Sequence, residues 1–192
     1  MDGSFQPAPF AYSIYHIVEV PRQGDTRFVP LAELVAALPA AQRARWERLW
    51  MCSDRQAAGA KPLIYTHPRS GRDTLCFHLG MTAAFVVDWG TPAARATAPH
   101  ETAALLREIE EAITQRCAHL IYSHRWQPGD FIISDNAALG HEAAEETQLG
   151  RAAVGLRIMH RTTVQGTTPP RKEYRLDDQG RRVPGSGGNG PA

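Results

Sequence analysis

The sequence predicts a mainly β fold with inserted helices, an α+β chain arranged as a β-sandwich or jelly roll. Many short runs of β-branched and aromatic residues are separated by turns rich in Pro and Gly. Helical periodicity is confined to two regions. Strands and helices do not alternate regularly, as a parallel βαβ sheet would require. These observations favour antiparallel sheets with helices packed outside them.

The predicted strands are bounded by turn residues. In chain order they are 12–20, 62–66, 74–79, 83–88, 121–126, 130–134 and 155–164. The segment His67–Arg72 is typical of a tight turn, so the second and third strands should form a hairpin. Pro128 and Gly129 are expected to turn the chain between the fifth and sixth.

The helical pattern covers 31–38, 40–50 and 101–118. The first two helices are separated by Pro39, and the third repeats apolar residues every three or four positions, including Leu105, Ile109 and Ile113. After Thr168 the composition changes to Pro, Gly and charge. We therefore expect one domain over residues 1–170 and a Gly/Pro-rich tail over 171–192, disordered from about Leu176.

Composition and charge favour no particular class of partner. A chain of 192 residues with a formal charge of +1 has no net field that would attract nucleic acid or anionic lipid. The three cysteines are widely spaced and form no C-x-x-C pair, which indicates free thiols in a reducing compartment. No apolar run is long enough to span a bilayer, and no signal peptide is visible. We expect a cytoplasmic protein acting on a small molecule, with a homo-oligomer left open.

Two features could carry chemistry. His141 follows a tight segment, 136–140, at the end of a predicted strand, and His is a common ligand of first-row metals. Arg157 and Arg161 lie four residues apart in an apolar segment, so a strand places both guanidinium groups on one face. Such a pair needs anions. Either internal Asp or Glu residues satisfy it, or a carboxylate ligand does.

The order of the motifs resembles the TauD/TfdA family of Fe(II)/2-oxoglutarate-dependent dioxygenases. Seven short pieces in register, from Met1 to about Pro170, carry the resemblance. They are Met1–Phe5, Gly24–Thr26, the H-P-x-S-G-R turn at 67–72, Trp126–Asp130, Asp135–Asn136, His141 and the R-x-M-H-R run at 157–161. The resemblance implies a double-stranded β-helix, Fe(II) as cofactor, 2-oxoglutarate as co-substrate, and O2 with a small organic substrate as partners.

The resemblance also implies roles for individual residues. Asp2 and His141 match two of the three iron ligands. Thr26 and Arg157 match the pair that binds the distal carboxylate of 2-oxoglutarate, and Arg161 matches a position that holds the anionic group of some substrates. Because the interval from His141 to Arg157 is longer than usual, Arg151 is an alternative anchor. The Phe5, Met81 and Phe85 side chains could line an apolar substrate pocket.

One departure concerns the third ligand. In the family the first iron-binding His stands two residues before Asp2, a position that precedes Met1 in this sequence. The resemblance therefore implies an N-terminally truncated, incomplete double-stranded β-helix that binds iron weakly. Two hypotheses follow: a dioxygenase-family chain that oxidises an unactivated C–H bond with decarboxylation of 2-oxoglutarate to succinate, or a non-catalytic binding or regulatory partner of a full-length homologue. The substrate, and hydroxylation against desaturation or cyclisation, stay open.

The remaining polar residues are interpreted structurally. Histidines at five positions are expected to form ordinary hydrogen bonds, namely His16, His67, His78, His119 and His124. Asp130 and Asp135 are expected to cap turns through nearby backbone N–H groups, and Glu101 to complement a helix dipole.

Overall fold

The structure is a computed structural model, and it describes residues 1–55, 59–177 and 180–187. Strands dominate this part of the chain. In order they are β1 Tyr12–Glu19, β2 Thr26–Pro30, β3 Leu49–Ser53, β4 Lys61–Pro62, β5 Ile64–Thr66, β6 Asp73–Leu75, β7 Thr82–Val87, β8 Arg95–Ala96, β9 Tyr122–His124, β10 Phe131–Asp135, β11 Leu139–Ala143, β12 Ile158–Val164, β13 Lys172–Leu176 and β14 Arg182–Gly187.

Helices are few and short. The α-helices are α1 Leu31–Ala36, α2 Ala40–Glu47, α3 Pro99–Glu111 and α4 Arg151–Val154. A π-helical turn, Ala112–Arg116, continues α3, and 3₁₀ turns occupy Ala118–Leu120 and Glu145–Gln148. Within the described residues, no helix is long and apolar enough to cross a membrane.

Two antiparallel three-stranded sheets face each other and position the candidate site. Their strand orders are β10-β1-β12 and β11-β2-β9. Strand β1 alternates its side chains, so Ser13, Tyr15 and Ile17 turn inward and are buried. Tyr15 and Ile17 form a small apolar cluster with Trp126 between the sheets. The hydroxyl of Tyr15 also reaches His141 on β11, which ties one sheet to the other.

The larger core lies beside these sheets, where α1, α2 and α3 pack with the sheet ordered β4-β3-β7-β8. Its largest fully buried side chains include Trp46, Phe85, Leu31 and Ile109. Apolar residues three or four apart on α1 and α3 face this core, as their spacing predicts. The helices therefore pack against the outside of the sheets.

The sequence predictions hold for most elements. The mainly β architecture with few helices is confirmed, as are β1 and the β5–β6 hairpin, in which Thr66 pairs with Asp73. The double-stranded β-helix stays a prediction. The predicted turn at Pro128–Gly129 is present, with Gly129 at φ +83°, but it joins strands of different sheets.

Several strands were not predicted, among them β2, β3, β8 and β11. The helix expected over 40–50 ends at Glu47, because Leu49, Trp50 and Met51 are all buried in β3 against β7. A continuous apolar run suits a strand covered on both faces, and periodicity alone does not separate it from a buried helix. Strands β2 and β11 were not assigned as strands either, although they pair along their whole length.

The C-terminal region differs from the expected tail. Strands β13 and β14 form a hairpin, where the sequence led us to expect disorder from about Leu176. Lys172 and Tyr174 are buried, and the hydroxyl of Tyr174 donates to Glu47, which is also buried. Arg182 pairs with Glu47 and Asp73. Charge pairing with the core, which composition does not reveal, orders this segment. Residues 178, 179 and 188–192 lie outside the described residues.

This hairpin should contribute measurably to stability. Replacing Tyr174 by Phe removes one hydrogen bond to the buried carboxylate of Glu47. We expect the free energy of unfolding, measured in urea, to fall by about 1–3 kcal/mol. The matched control is Tyr122→Phe, because that tyrosine is 62% exposed; an equal loss in both variants would contradict the anchoring role.

Stability should also depend on pH through Lys172. Burial lowers the pKa of Lys172 to about 8, against 10.5 for a free lysine, and Glu47 opposes the shift. Between these values the unfolded chain holds a proton that the folded chain has lost, so this residue adds stability as pH rises. From pH 8 to pH 10 the unfolding free energy of the wild type should rise relative to Lys172→Met by about 1–3 kcal/mol. A pH-independent difference in urea titrations would contradict the prediction.

Candidate metal and anion site

The carboxylate of Asp2 is the centre of the site. Ser13 on β1 donates to Asp2 Oδ2 over 3.1 Å, and the guanidinium of Arg161 on β12 pairs with the same oxygen. His141 Nε2 on β11 lies 3.1 Å from it. The Asp2 side chain is only 18% exposed. Strands of both sheets therefore converge on one carboxylate oxygen.

Asn136 fixes the backbone beside Asp2. Its Oδ1 accepts the Asp2 N–H over 2.9 Å, and its Nδ2 donates to the carbonyl oxygens of Asp2 and Phe10 over 2.9 and 2.7 Å. The residue is fully buried. Asn136 belongs to the Asp135–Asn136 motif but had no role in the sequence prediction, because its partners at Asp2 and Phe10 are more than a hundred residues away.

His141 is held as a neutral imidazole. Burial lowers the pKa of His141 to about 4, and the α-amino group acts in the same direction. Its Nε2 lies 3.0 Å from the hydroxyl of Tyr15 as well as 3.1 Å from Asp2. A neutral ring cannot serve both as donor to the carboxylate and as acceptor from the hydroxyl through one nitrogen. Its Nδ1 is buried without a hydrogen-bond partner among the described residues.

Arg157 and Thr26 meet, as predicted. Arg157 Nη2 donates to Thr26 Oγ1 over 3.3 Å, and Trp126 Nε1 donates to the same oxygen over 3.0 Å. The guanidinium also lies over the Trp126 ring, 5.9 Å from its centre. Among the described residues no carboxylate forms a salt bridge with Arg157, although its side chain is partly buried. Burial accordingly lowers the pKa of this guanidinium.

Arg161 differs from Arg157 in its partner. It lies over the ring of Tyr15, 5.6 Å from the centre, and its charge is matched by Asp2. The internal-carboxylate interpretation therefore holds for Arg161, whereas Arg157 has only neutral acceptors, such as Thr26, among the described residues. Arg151, the alternative anchor, is exposed at the start of α4.

Several other polar residues form hydrogen bonds as the sequence predicts. His67 Nδ1 accepts backbone N–H groups, and His124 Nε2 lies 2.9 Å from Asp130, so both are hydrogen-bonded as expected. Asp130 and Asp135 cap turns as predicted, by accepting the N–H groups of Gln127 and Ala137. Glu101 accepts from the N–H of Ala98 at the start of α3.

An apolar cavity of about 200 Å³ opens beside Asp2 and His141. Its apolar walls are Met1, Phe28, Val29, Phe77, Leu79, Ile113 and Ile121, and Arg27, His78 and Glu142 also line it. The Phe5, Met81 and Phe85 side chains, expected to line a pocket, are not among its lining residues, and Phe85 is fully buried in the core.

The chain matches the family model described as Taurine catabolism dioxygenase TauD, TfdA family, over residues 1–163. The chain belongs to this family. A family member, the α-ketoglutarate-dependent 2,4-dichlorophenoxyacetate dioxygenase of Cupriavidus pinatubonensis, is 32% identical over 160 residues, which are 73% of this chain and 52% of that protein. Tyrosine isonitrile desaturase of Pseudomonas aeruginosa is 27% identical over 173 residues, 83% of this chain and 57% of that protein.

Among solved structures, the fold resembles a taurine dioxygenase from Burkholderia xenovorans, with a TM-score of 0.70 at 24% identity. The match covers 99% of this chain and 62% of that one. This TauD/TfdA family chain therefore spans about half the length of the curated relatives it matches.

The spacing of Asp2 and His141 suits a divalent metal ion. Two ligands bound at right angles to one ion over bonds of about 2.1 Å lie about 3.0 Å apart. Asp2 Oδ2 and His141 Nε2, at 3.1 Å, match that spacing. Carboxylate and imidazole also suit Fe(II). Within the described residues, however, no group of three His, Cys, Asp or Glu side chains could hold a metal. Among the described residues, Asp2 and His141 are therefore the two candidate metal ligands.

Asn136 should control the position of Asp2. Asn136→Ala removes three buried hydrogen bonds, and we expect the free energy of unfolding to fall by about 2–4 kcal/mol. The control is Gln165→Ala, whose amide also bonds to the N-terminal segment, at Ala8, but on the surface. Urea titration followed by circular dichroism measures both. A loss as large in Gln165→Ala would argue against a special role for Asn136.

Proposed function

We propose that this chain supplies the metal and co-substrate sites of an Fe(II)/2-oxoglutarate-dependent dioxygenase that oxidises a C–H bond of a small organic substrate. The proposal rests on two contacts. Asp2 lies beside His141, and Arg157 donates a hydrogen bond to Thr26. Metal, when bound, would supply the activation of O2 that decarboxylates 2-oxoglutarate to succinate.

Asp2 and His141 would hold the metal. His141 presents a neutral imidazole, the form that binds a cation, because burial disfavours its protonated form. In the described contacts, Arg161 neutralises Asp2. A divalent cation beside Asp2 would take over that neutralisation, which would release the Arg161 guanidinium for the carboxylate or sulfonate of a ligand.

Thr26 and Arg157 would hold the distal carboxylate of 2-oxoglutarate. A guanidinium and a hydroxyl that lie side by side can bind one carboxylate through charge-assisted hydrogen bonds. Trp126 supports them, because its indole N–H bonds to Thr26 and its face lies under the guanidinium. A partly buried cation without a carboxylate partner among the described residues costs solvation energy, and an anionic ligand offsets that cost.

The reaction outcome would depend on the substrate. One relative carries the name of a dioxygenase and another that of a desaturase. Both names fit hydrogen abstraction from a positioned C–H bond, after which the two outcomes diverge. The protein's share is to orient that bond and to exclude water.

The second candidate function is a non-catalytic binding or regulatory partner of a full-length homologue. It is favoured by the count of donors, since the described residues supply two and no third. In that case the Arg157 site would still bind a carboxylate. The two functions therefore differ in metal binding and agree in 2-oxoglutarate binding.

Separate binding measurements distinguish these functions. Mn(II) binding is followed by electron paramagnetic resonance, and 2-oxoglutarate binding by calorimetry. We expect weak, saturable Mn(II) binding that Asp2→Ala and His141→Ala each weaken by about tenfold or more. Arg157→Gln should weaken 2-oxoglutarate binding by at least about tenfold and leave Mn(II) binding unchanged.

The matched control is Arg151→Gln, the exposed arginine of the alternative register, which should leave both affinities unchanged. Anaerobic Fe(II) with 2-oxoglutarate should give little of the metal-to-ligand charge-transfer band, because two protein donors hold Fe(II) weakly. An intense band would contradict the two-donor site. Binding of 2-oxoglutarate without any Asp2-dependent metal binding would reject the enzyme and support the partner.

A further inference from the structure

Two histidines lie side by side on the outer face of the sheet β10-β1-β12. His16 on β1 and His160 on β12 are register partners, so their side chains project from the same face. Both residues are exposed, and their ring centroids are 6.0 Å apart. Within residues 1–55, 59–177 and 180–187, neither ring has a hydrogen-bond or ion-pair partner. Tyr15, which contacts His141, points to the opposite face of β1.

The spacing of the two rings suits two ligands of one metal ion. Imidazole is a nitrogen ligand that suits Zn(II). With metal–nitrogen bonds of about 2.0–2.1 Å and a tetrahedral angle, the centroids of two bound imidazole rings lie about 5 Å apart. The 6.0 Å between His16 and His160 is close to that value, and rotation of two exposed side chains closes the difference. Because the described residues hold no group of three His, Cys, Asp or Glu side chains suited to a metal, one chain supplies two donors here.

The surface around the two histidines is apolar. Phe131 and Ile133 on β10 are 60% and 61% exposed, and the Phe131 ring lies 6.3 Å from that of His16. Uncharged residues occupy the neighbouring outward positions of the three strands, namely Ile14, Val18, Phe131, Ile133, Ile158 and Thr162. Glu19 lies at one end of this area, and Asp135, which pairs with Arg69, lies at the other.

This apolar surface is too small to hold two proteins together alone. The exposed apolar side chains of the sheet are Val18, Phe131, Ile133, Ile158 and Val164. Together they present on the order of 400 Å², roughly half of the ~800 Å² that each partner buries in a stable complex. A metal ion bound at the centre of the surface would add the missing affinity.

A second copy of this chain fits both the donors and the surface. A twofold axis through the ion would bring the histidine pairs of two copies together and complete the four nitrogen ligands of a tetrahedral site. The facing surfaces would be identical and uncharged around the ion, so their apolar side chains would be buried without like-charge repulsion.

We propose that His16 and His160 bind one Zn(II) ion together with the same two residues of a second copy, and that this ion links two chains through the outer face of the sheet β10-β1-β12. The inference is independent of the proposed function. Asp2, which the candidate iron site requires, is held by Ser13 and Arg161 on the opposite face of this sheet.

Sedimentation velocity of the 192-residue chain tests this link. The chain is freed of metal with EDTA and then titrated with Zn(II). We expect a monomer without metal, a dimer with Zn(II), and reversal by excess EDTA. In Asp2→Ala, which lacks the other candidate metal site, the dimer should still form and hold one Zn(II) per two chains.

Ligand variants show which residues bind the ion. His16→Gln and His160→Gln should each weaken Zn(II)-dependent dimerisation by about tenfold or more, because each removes two of the four ligands of the dimer. The control is His119→Gln, since His119 is also exposed but lies in the 3₁₀ turn Ala118–Leu120. This control should leave dimerisation unchanged.

Two further measurements test the surface and the coordination geometry. Ile133→Lys keeps both histidines but places like charges on the facing surfaces, so it should weaken the dimer severalfold. Co(II) in place of Zn(II) should give the intense visible absorption of a tetrahedral site, which an octahedral ion with two imidazoles and four waters does not give.

The outcomes decide the inference separately from the proposed function. One Zn(II) per chain of Asp2→Ala without dimer formation would overturn it, as would a dimer that resists EDTA or persists undiminished in His16→Gln and His160→Gln. A weak, octahedral Co(II) spectrum would also overturn it. A Zn(II)-linked dimer of Asp2→Ala would support the inference even if the wild type failed to bind Mn(II) or 2-oxoglutarate.

Discussion

The site depends on the need to neutralise one poorly hydrated carboxylate. Asp2 accepts a hydrogen bond from the Ser13 hydroxyl, pairs with the Arg161 guanidinium and lies beside the His141 imidazole. These three residues come from strands of both sheets. A carboxylate that is largely removed from water needs such partners, because desolvation otherwise favours its neutral form. The two sheets are consequently held at the spacing that lets Tyr15 reach His141.

Two arginines four residues apart have different electrostatic situations. Arg161 is paired with Asp2, and Arg157 meets only neutral acceptors and the face of Trp126 among the described residues. A ligand carboxylate therefore gains more by reaching Arg157, where it completes an incomplete set of contacts. At Arg161 an anion would compete with Asp2 unless a metal ion first engaged that carboxylate. The order metal, then anion at Arg161, follows from charge alone.

Local patterns predicted the elements whose residues alternate or repeat cleanly. The strand at 12–19, with its alternating burial, and the hairpin around His67–Arg72 are of this kind. The strand at Leu49–Ser53 was missed because an apolar run covered on both faces has no period. The C-terminal hairpin was missed for another reason. Its order comes from Glu47, more than a hundred residues away, which no local composition can indicate.

The candidate site was proposed from motif resemblance more than from local chemistry. Asp2, Thr26, His141, Arg157 and Arg161 do come together as two neighbouring groups. The supporting residues Ser13, Tyr15 and Asn136 were not assigned roles. Each acts across a sheet or between distant segments, so its function appears only once the chain is folded. Sequence patterns named the charged groups, and packing revealed what positions them.

The surroundings of His141 are chemically unequal on its two sides. Toward Tyr15 lie Asp2, Arg161 and, further along, Arg157, so that side is polar and can accept anions. Toward Phe28 lies the cavity, whose lining is largely apolar but includes Met1 and the Arg27–Glu142 pair. A metal held between Asp2 and His141 would border both environments. On the side of Arg157 a charged co-substrate would exchange its hydration for a guanidinium partner, so an anion is favoured on that side.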